Sequence, residues 1–434
     1  MPGILTDRPF QGAIPSRAVD FQARCAVPTP WPLSYDDAEM TNPPTPSLTP
    51  IPDTAFGHGL RSLWTLDPAV HFLNHGSFGA TPRHVQAAQS RWREVMEREP
   101  VRFMVDTLPV ALRAAAARLA GFVGASPSRL AFVENATAGV NAVLRSIRWQ
   151  AGDRIVLTNH AYPAVKNTAR FFAERHGLTL TEAKVPWPLA GPQAIVDAYA
   201  RALEGGARLA IVDHVFSPLA VVTPLQAIVS LCRARGVPVL VDGAHAAGML
   251  PLSLDALGDL GADWYVGNCH KWLCAPKGCG FIVATPAGQR DLHPAVISNY
   301  FGEGFEQEFA WTGTGDPSAR LAVIAALDFI EALGIERYRH ALHEQASAAA
   351  ARIAAAWGAE PGAPPEMFAG MVTLPLPVDE AANAESVARW RLRLLHEHAI
   401  EVPVIDIEGR LWVRISAQVY NELSDYDALA QAFR

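Results

Sequence analysis

The chain has 434 residues, of which 50% are hydrophobic and 18% charged, so its composition predicts a compact globular protein and excludes a disordered or fibrous one. Lys and Arg number 36 against 43 Asp and Glu, a net charge of -7, whereas binding to nucleic-acid phosphates requires a basic excess, so a nucleic-acid partner is disfavoured. At roughly 100 to 200 residues per domain, the length fits two or three ordinary domains or one large two-lobed enzyme subunit.

Residues 1–55 form a proline-rich arm that holds 11 of the 34 prolines. Because proline lacks a backbone donor and fixes its own φ, we predict a disordered, irregular extension without a part in the chemistry. The first thirty residues lack the apolar central run of a secretory signal, and no stretch of the chain approaches the ~18 apolar residues of a membrane span. The sequence therefore predicts neither export nor membrane binding.

Short apolar runs alternate with amphipathic stretches from about Phe56 onward. The runs 154–158, 208–212 and 237–241 are typical of strands buried on both faces, and 224–235 has helical spacing of its apolar residues. Strand, helix and strand in this order predict a parallel α/β unit, whose ligands bind beyond the carboxyl ends of the strands.

The chain beyond about residue 318 has a different pattern. It predicts alanine-rich helices and short strands at 319–333, 338–357, 371–376, 387–398 and 411–415. We therefore predict a large domain over 56–318 and a smaller α+β domain over 319–434. The first part of the large domain could also pack with the small domain.

An acid and a lysine carry the chemical signal of the sequence. Asp242 ends the apolar run before Gly-Ala-His, and Lys271 lies in Asn-Cys-His-Lys-Trp-Leu. Such a pair suits an aldehyde cofactor with a pyridine nitrogen, because the acid keeps the nitrogen protonated and the amine forms a Schiff base. For either residue alone, a turn-starting aspartate or a surface lysine remains the alternative.

Several motifs in order resemble one family. Asp-Gly-Ala-His, His-Lys-Trp-Leu and Lys-Gly-Cys-Gly-Phe at 277–281 are similar to those of class V, fold-type I pyridoxal-phosphate enzymes. Within that family, the chain resembles the isopenicillin N epimerase-like branch, which also contains C–S lyases such as those of ergothioneine biosynthesis. The resemblance covers about residues 72–420. It implies an α/β fold with a mainly parallel seven-stranded sheet sandwiched by helices, and a smaller C-terminal domain.

The resemblance implies pyridoxal 5'-phosphate as the cofactor and assigns roles position by position. Lys271 matches the Schiff-base lysine and general base, Asp242 the partner of the pyridinium nitrogen, and His245 the residue beside the phenolic oxygen. Ser217 falls where many class V members have asparagine near that oxygen, a departure typical of the epimerase-like branch.

Four residues match phosphate ligands of the family. Ala136 and Thr137 open a predicted helix, where backbone N–H groups bind anions, although an ordinary capped helix is the alternative. Asn268 and His270 stand where relatives place polar phosphate ligands, and Asn268 replaces a serine that is common there.

Aromatic side chains after the first strand match the position of a ring that stacks on the cofactor. His160 matches this catalytic position best and Tyr162 is a second candidate, with core packing as the alternative for the tyrosine. Stacking keeps the cofactor ring aligned with the bond to be broken.

The resemblance also implies the substrate site and a dimer. Arg414 matches the residue that binds the substrate α-carboxylate, since a guanidinium and a carboxylate form two parallel hydrogen bonds. Asn74 and His75 lie in the opening motif and could line the pocket. Thr314, in a Gly-Thr-Gly loop, matches a residue that reaches the neighbouring subunit's cofactor, so a homodimer is expected, with a plain turn as the alternative. No metal site is expected.

The reaction stays open among three outcomes of a carbanion at Cα. Return of the proton to the opposite face gives an epimerase or racemase, which we predict first for an amino-acid or small-peptide substrate. Loss of a β-substituent gives a C–S lyase acting on a cysteine conjugate or sulfoxide, and protonation of the cofactor gives an aminotransferase. A cysteine desulfurase is disfavoured, because residues 399–413 contain no cysteine to carry the persulfide.

Two further alternatives lack chemistry altogether. A regulator with this fold would bind the cofactor without turnover, and a simple α/β binding module would not bind it. The five cysteines are an odd number, and three of them lie close to the predicted lysine. We therefore predict no disulfide framework and a reducing, cytoplasmic compartment.

Overall fold

The computed structural model describes residues 48–52 and 56–433. Most of the predicted proline-rich arm thus lies outside the described residues. The helices that the rest of the chain forms, including short 3₁₀ segments and one π turn, are His58–Leu63, His75–Phe78, Arg83–Arg98, Pro100–Arg102, Phe103–Thr107, Leu108–Val123, Pro127–Arg129, Ala136–Ser146, Pro163–His176, Gln193–Ala202, Leu225–Ala234, Leu254–Leu260, Phe305–Ala310, Ser318–Leu321, Val323–Leu333, Ile335–Trp357, Pro365–Met367, Ala384–His398 and Leu423–Gln431.

The strands are numbered in chain order. They are β1 His71–Phe72, β2 Leu130–Val133, β3 Arg154–Thr158, β4 Thr179–Ala183, β5 Leu209–Asp213, β6 Val215–Phe216, β7 Val221–Val222, β8 Val239–Gly243, β9 Trp264–Asn268, β10 Gly280–Ala284, β11 Met371–Pro375, β12 Ile400–Glu401, β13 Val404–Ile407 and β14 Arg410–Ser416.

A seven-stranded sheet forms the centre of the molecule, with the strand order β2-β10-β9-β8-β5-β3-β4. Only β10 runs antiparallel to its neighbours, which confirms the predicted mainly parallel sheet. The residues of β5, β8 and β10 are buried throughout. Their continuous apolar runs are what a strand covered by helices on both faces requires.

Two apolar clusters lie on the opposite faces of this sheet. The alternate strand residues Val156, Ala210 and Val239 belong to one cluster, while Ile155 and Leu240 belong to the other. Because successive side chains of a strand point to opposite faces, this division follows from the strand period.

A smaller sheet forms near the end of the chain, with the order β11-β14-β13, all antiparallel. The helix Ile335–Trp357 packs against β11 and against the last helix. The predicted helices and strands of the tail are confirmed, together with an α+β arrangement. Early in the chain, β1 pairs with β12 in parallel and so joins the C-terminal part.

Charged residues fasten the same early segment to the last helix. Both Asp425 carboxylate oxygens are engaged, Oδ2 at 2.9 Å from His58 Nε2 and Oδ1 at 2.8 Å from His71 Nδ1. Arg61 adds an ion pair at 3.5 Å. The backbone before the opening motif is thereby held against the end of the chain. Within the described residues, no helix has the length and apolar character to cross a membrane.

Candidate active site

The carboxyl ends of β8 and β9 carry the two residues of the main sequence motif. Asp242 is the fourth residue of β8, and Lys271 follows the end of β9 by three residues. Asp242 is 5% exposed and accepts one hydrogen bond, from the N–H of Ala244 at 3.0 Å. Burial raises the pKa of Asp242, while that N–H and Lys271 act in the opposite direction. Asp242 has no ion-pair partner within the described chain.

Lys271 is buried in a way that makes its amine reactive. The side chain is 8% exposed, and Nζ lies 3.1 Å from Nε2 of His245. The pKa of Lys271 is lowered to about 7, because burial and, second, the charge of Arg414 lower it by more than the charge of Asp242 raises it. A large fraction of the amine is therefore neutral near neutral pH, which is the nucleophilic and basic form.

His245 has a defined tautomer. Burial holds its pKa well below the ordinary range, so the ring is neutral. Trp272 Nε1–H donates to Nδ1 over 3.5 Å, which leaves the ring proton on Nε2. That nitrogen faces Lys271 Nζ and, at 3.2 Å, Ser217 Oγ.

Arg414 continues this chain of contacts from β14. Its Nη1 donates to the carbonyl oxygen of Ser217 at 2.6 Å and to Ser217 Oγ at 3.2 Å, and its Nη2 donates to Ser77 Oγ at 3.0 Å. The arginine is 4% exposed, its Nε has no partner, and burial lowers its pKa to about 10. No carboxylate of the described chain pairs with it, so an anionic ligand would satisfy both its charge and its free donor.

The opening motif supplies the other side of Arg414. Ser77 Oγ donates to Asn74 Oδ1 at 2.5 Å, and Asn74 precedes the short helix His75–Phe78. The structure thus connects Asn74 to Arg414 through Ser77, by two successive hydrogen bonds. Ser77 was missed by sequence reasoning, although it lies in the same opening motif as the two predicted residues Asn74 and His75.

His75 has a different place from the one predicted for a pocket residue. Its ring is fully buried, its Nε2 lies 3.1 Å from the carbonyl oxygen of Lys271, and Tyr420 Oη lies 2.9 Å from its Nδ1. Burial lowers its pKa to about 3, so the ring is neutral. We therefore propose that His75 supports the Lys271 backbone rather than contacting substrate.

The predicted phosphate site lies at the start of the helix Ala136–Ser146. Asn268 Oδ1 accepts the N–H of Ala136 at 2.9 Å, and Asn135 Oδ1 accepts that of Ala138 at 2.9 Å. Within the described residues, the amide of Thr137 and the side-chain amide of Asn268 are left as donors for an anion. His270 is held by its Nδ1 contact to the Cys279 carbonyl at 3.2 Å, and burial lowers its pKa to about 4.

The two ring-face candidates differ in exposure. His160 is 7% exposed, and its Nε2 lies 2.9 Å from the carbonyl oxygen of Val185, with Phe216 edge-on at 6.3 Å. Burial lowers the pKa of His160. Tyr162 is 43% exposed at the start of the next helix, close enough to Arg414 to influence its pKa. The fixed imidazole suits a stacking role better than the exposed phenol.

Thr314 lies apart from these residues. It is exposed on the loop before the helix Ser318–Leu321, and no hydrogen bond joins it to a site residue of the described chain. The loop is held by the ion pair of Asp316 with Arg93 at 2.7 Å. Thr314 is therefore not brought into the site of its own subunit.

Asp213 is a further buried acid at the site that sequence reasoning missed. It ends β5 as Asp242 nearly ends β8, and the two are direct partners in the sheet. The signal was available, since both acids close a buried apolar run. The described residues show no group of His, Cys, Asp or Glu suited to a metal ion, and the four described cysteines are free.

Gly79 fixes the approach of the opening motif to the lysine loop. Its φ is +70°, and a Cβ there would overlap the carbonyl oxygen of His270. We expect Gly79→Ala to lower the free energy of unfolding by about 1 to 3 kcal/mol and to weaken cofactor retention. Gly59→Ala, which meets open space, is the control and should cost less than about 0.5 kcal/mol. Equal urea midpoints for the two variants would contradict this.

The site residues fit pyridoxal 5'-phosphate on chemical grounds. A buried acid without a cation suits a protonated ring nitrogen, a buried neutral lysine suits an aldehyde, and a helix start with free amides suits a phosphate. The buried arginine without a carboxylate suits an amino-acid substrate.

Comparison with known proteins agrees with this fit. The family described as aminotransferase class V matches residues 92–429. A probable chloroplastic L-cysteine desulfhydrase of Arabidopsis thaliana is 34% identical over 84% of this chain and 82% of that one. The isopenicillin N epimerase of Amycolatopsis lactamdurans is 34% identical over 86% of this chain and 97% of that one.

Solved structures share the fold at lower identity. A cystine C–S lyase in complex with its product cysteine persulfide superposes with a TM-score of 0.71 at 23% identity, over 84% of this chain and 97% of that one. The apo cysteine desulfurase of Thermococcus onnurineus has a TM-score of 0.71 at 18% identity, over 88% and 98%.

Proposed function

Because the chain belongs to the class V aminotransferase family, we propose that it removes the α-proton of an amino acid or small peptide and acts as an epimerase. The predicted resemblance, fold class and dependence on pyridoxal 5'-phosphate are confirmed. The observation that carries the proposal is the hydrogen-bonded line from Lys271 through His245 and Ser217 to the unpaired Arg414.

Each residue of that line has a defined task. When bound, the cofactor supplies an electron sink that stabilises negative charge at Cα. Arg414 binds the α-carboxylate and so fixes how the substrate lies. Lys271 Nζ takes the α-proton, since its lowered pKa provides the neutral amine near pH 7. Asp242 holds the proton of the ring nitrogen, and Thr137, Asn268 and His270 hold the phosphate.

A deuterium experiment tests this function. Candidate amino acids, peptides and cysteine conjugates are incubated with the holoenzyme in deuterated water, and α-deuterium, inversion at Cα, pyruvate and ammonia are scored together. Epimerisation gives inversion with deuterium at Cα and no ammonia. Exchange without inversion, combined with conversion of an added amino donor to its keto acid, would instead identify an aminotransferase. Absence of any α-exchange across the panel contradicts the proposal.

A C–S lyase is the second candidate, because the L-cysteine desulfhydrases of plants are as similar to this chain as the epimerases are. The same Lys271 would take the α-proton, and the sulfur of a cysteine derivative would leave from Cβ. Pyruvate, ammonia and a free thiol or sulfide in equal amounts would identify this reaction. The desulfurase alternative stays disfavoured, since no cysteine precedes Arg414 on its strand or the loop before it.

Attachment of the cofactor should report the pKa of Lys271. Only the neutral amine attacks an aldehyde, so the rate of incorporation into the cofactor-free chain should rise about tenfold per pH unit below about 7 and level off above it. An ordinary lysine would let the rate rise further, toward pH 10. Stopped-flow absorbance of the bound cofactor measures this profile. A rate that still climbs between pH 8 and 9.5 would refute a lowered pKa.

We also propose a homodimer in which Thr314 serves the neighbouring site. Large exposed apolar side chains are frequent in two segments, 101–110 and 296–301, the second close in sequence to the Thr314 loop. Mixing two inactive variants tests the exchange: Lys271→Ala keeps Thr314, and Thr314→Ala keeps Lys271. Mixed dimers should regain turnover at one site. No recovery in dimers shown to be mixed would contradict action across the interface. The cytoplasmic location stays a prediction.

A further inference from the structure

Two carboxyl groups lie side by side beneath the proposed cofactor ring. Asp213 of β5 and Asp242 of β8 are in-register partners on parallel strands, so their side chains share one face about 4.8 Å apart at the backbone. They are 3% and 5% exposed. The N–H of His214 also donates to the Asp242 carbonyl at 2.8 Å, which fixes the spacing of the two strand ends.

The groups that face this pair do not neutralise it. Lys166 acts on Asp213 and Lys271 on Asp242 through their charges, and the N–H groups of Asp213 and Tyr162 also act on the Asp213 carboxyl. Burial and the neighbouring acid raise the pKa of Tyr199 and Tyr265, and neutral His214 lies beside Tyr265 at 2.9 Å. None of the lysines forms an ion pair with either acid: Lys166 is paired with Glu182 at 3.2 Å. Asp213 Oδ2 is buried without a hydrogen-bond partner.

Two carboxylates cannot both remain charged in such surroundings. Each ionised group loses its hydration, and the second also meets the charge of the first. Burial raises the pKa of Asp213 well above its usual range, and the charge of Asp242 adds to this. Asp213 also has groups that favour its charge, namely its own N–H, the N–H of Tyr162 and Lys166, yet its pKa stays well above its usual range. Asp242 is raised less far, because it accepts the Ala244 N–H and feels the charge of Lys271 while no charge of Asp213 acts against it.

We propose that the pair Asp213 and Asp242 holds a single proton and that this proton is on Asp213. Asp213 is then a positioning residue, because its neutral carboxyl leaves one negative charge, on Asp242, beneath the cofactor ring. Asp242 then faces the protonated ring nitrogen with a full negative charge, while Asp213 beside it stays neutral. This inference rests on the proposed place of Asp242 under the ring, but it does not depend on which reaction follows.

Infrared spectra of the holoenzyme with 13C-labelled aspartate test the proton directly. A protonated carboxyl gives a C=O stretch that an ionised one lacks. At pH 7 we expect such a band in the wild type and its loss in Asp213→Asn. Asp263→Asn is the control, because Asp263 is a partly buried acid at the other end of β9 that accepts the Val239 N–H at 2.9 Å. Its removal should leave the band of Asp213 in place.

Two outcomes overturn the proposal. One is a wild type without a protonated aspartate at pH 7, and this test needs no variant. The other is a band that persists in Asp213→Asn and disappears in Asp242→Asn, which would place the proton on Asp242. Failure to epimerise or eliminate any substrate would leave the infrared result unchanged, so the two proposals fail separately.

Unfolding of the cofactor-free chain gives an independent readout. The pKa of Asp213 is raised in the folded state, so the folded chain holds a proton that the unfolded chain loses above about pH 4. Wild-type stability should therefore fall with rising pH relative to Asp213→Asn. The ratio of their unfolding constants should change by up to tenfold per pH unit until Asp213 ionises. A ratio that is constant from pH 4 to 7 contradicts the shared proton.

Discussion

Lys271→Ala loses the covalent link to the cofactor and lowers kcat by at least about 10²- to 10⁴-fold, the usual contribution of a positioned general base. We propose that this amine attaches the aldehyde, and its pKa, near 7, suits proton removal at neutral pH. Reduction with borohydride followed by peptide mapping should find a pyridoxyl adduct on Lys271 of the wild type and none on the variant.

Lys277→Ala is the matched control for this experiment. Lys277 lies six residues further along the same loop, is exposed, and contacts Thr81 Oγ1 at 3.4 Å instead of the site. It should keep the adduct and most of the turnover. An adduct on any lysine other than Lys271 in a cofactor-loaded wild type would overturn the assignment.

Arg414→Met should lower kcat/KM roughly 30- to 4000-fold, which corresponds to a loss of about 2 to 5 kcal/mol in transition-state binding. The guanidinium is buried beside Ser77 and Ser217, its Nε has no partner, and no carboxylate of the described chain pairs with it. The loss should fall mainly on substrates with a free α-carboxylate and be small for the corresponding amides. Steady-state kinetics on both substrate forms measure it.

Arg410→Met provides the comparison on the same strand. Arg410 is exposed and lies over the Trp412 ring at 5.4 Å, four positions before Arg414 on the same face of β14. Its loss removes a similar charge without a site contact, so kcat/KM should change less than about twofold by the small effect of exposed charges. Equal losses for acid and amide substrates in Arg414→Met would argue against carboxylate binding.

The fold and the cofactor chemistry were predictable because they leave local patterns. Continuous apolar runs mark buried parallel strands, and an acid or a lysine that closes such a run marks the edge where ligands bind. Asp242 and Lys271 were recognisable in this way. Asp213 has the same pattern, yet it lay outside the motif and its importance arises from strand pairing, which a single sequence does not contain.

Contacts between distant segments explain the rest. Ser77 matters because it contacts Arg414, 337 residues away, and His75 is buried with its Nε2 3.1 Å from the carbonyl oxygen of Lys271, 196 residues away. Neither relation has a periodic trace in the sequence. Thr314 lies away from its own site, and a single chain does not contain the surface that it would meet.

Contacts between segments far apart in the chain, such as β1 with β12 and Asp425 with His58 and His71, have a consequence for biosynthesis. A ribosome releases Ser77 long before its partner Arg414, because the two residues are 337 positions apart. The large sheet can form around Lys271 while the carboxylate site is still missing one half. We therefore expect the proposed carboxylate site to be completed only after residue 414 has left the ribosome, later than the segment around Lys271.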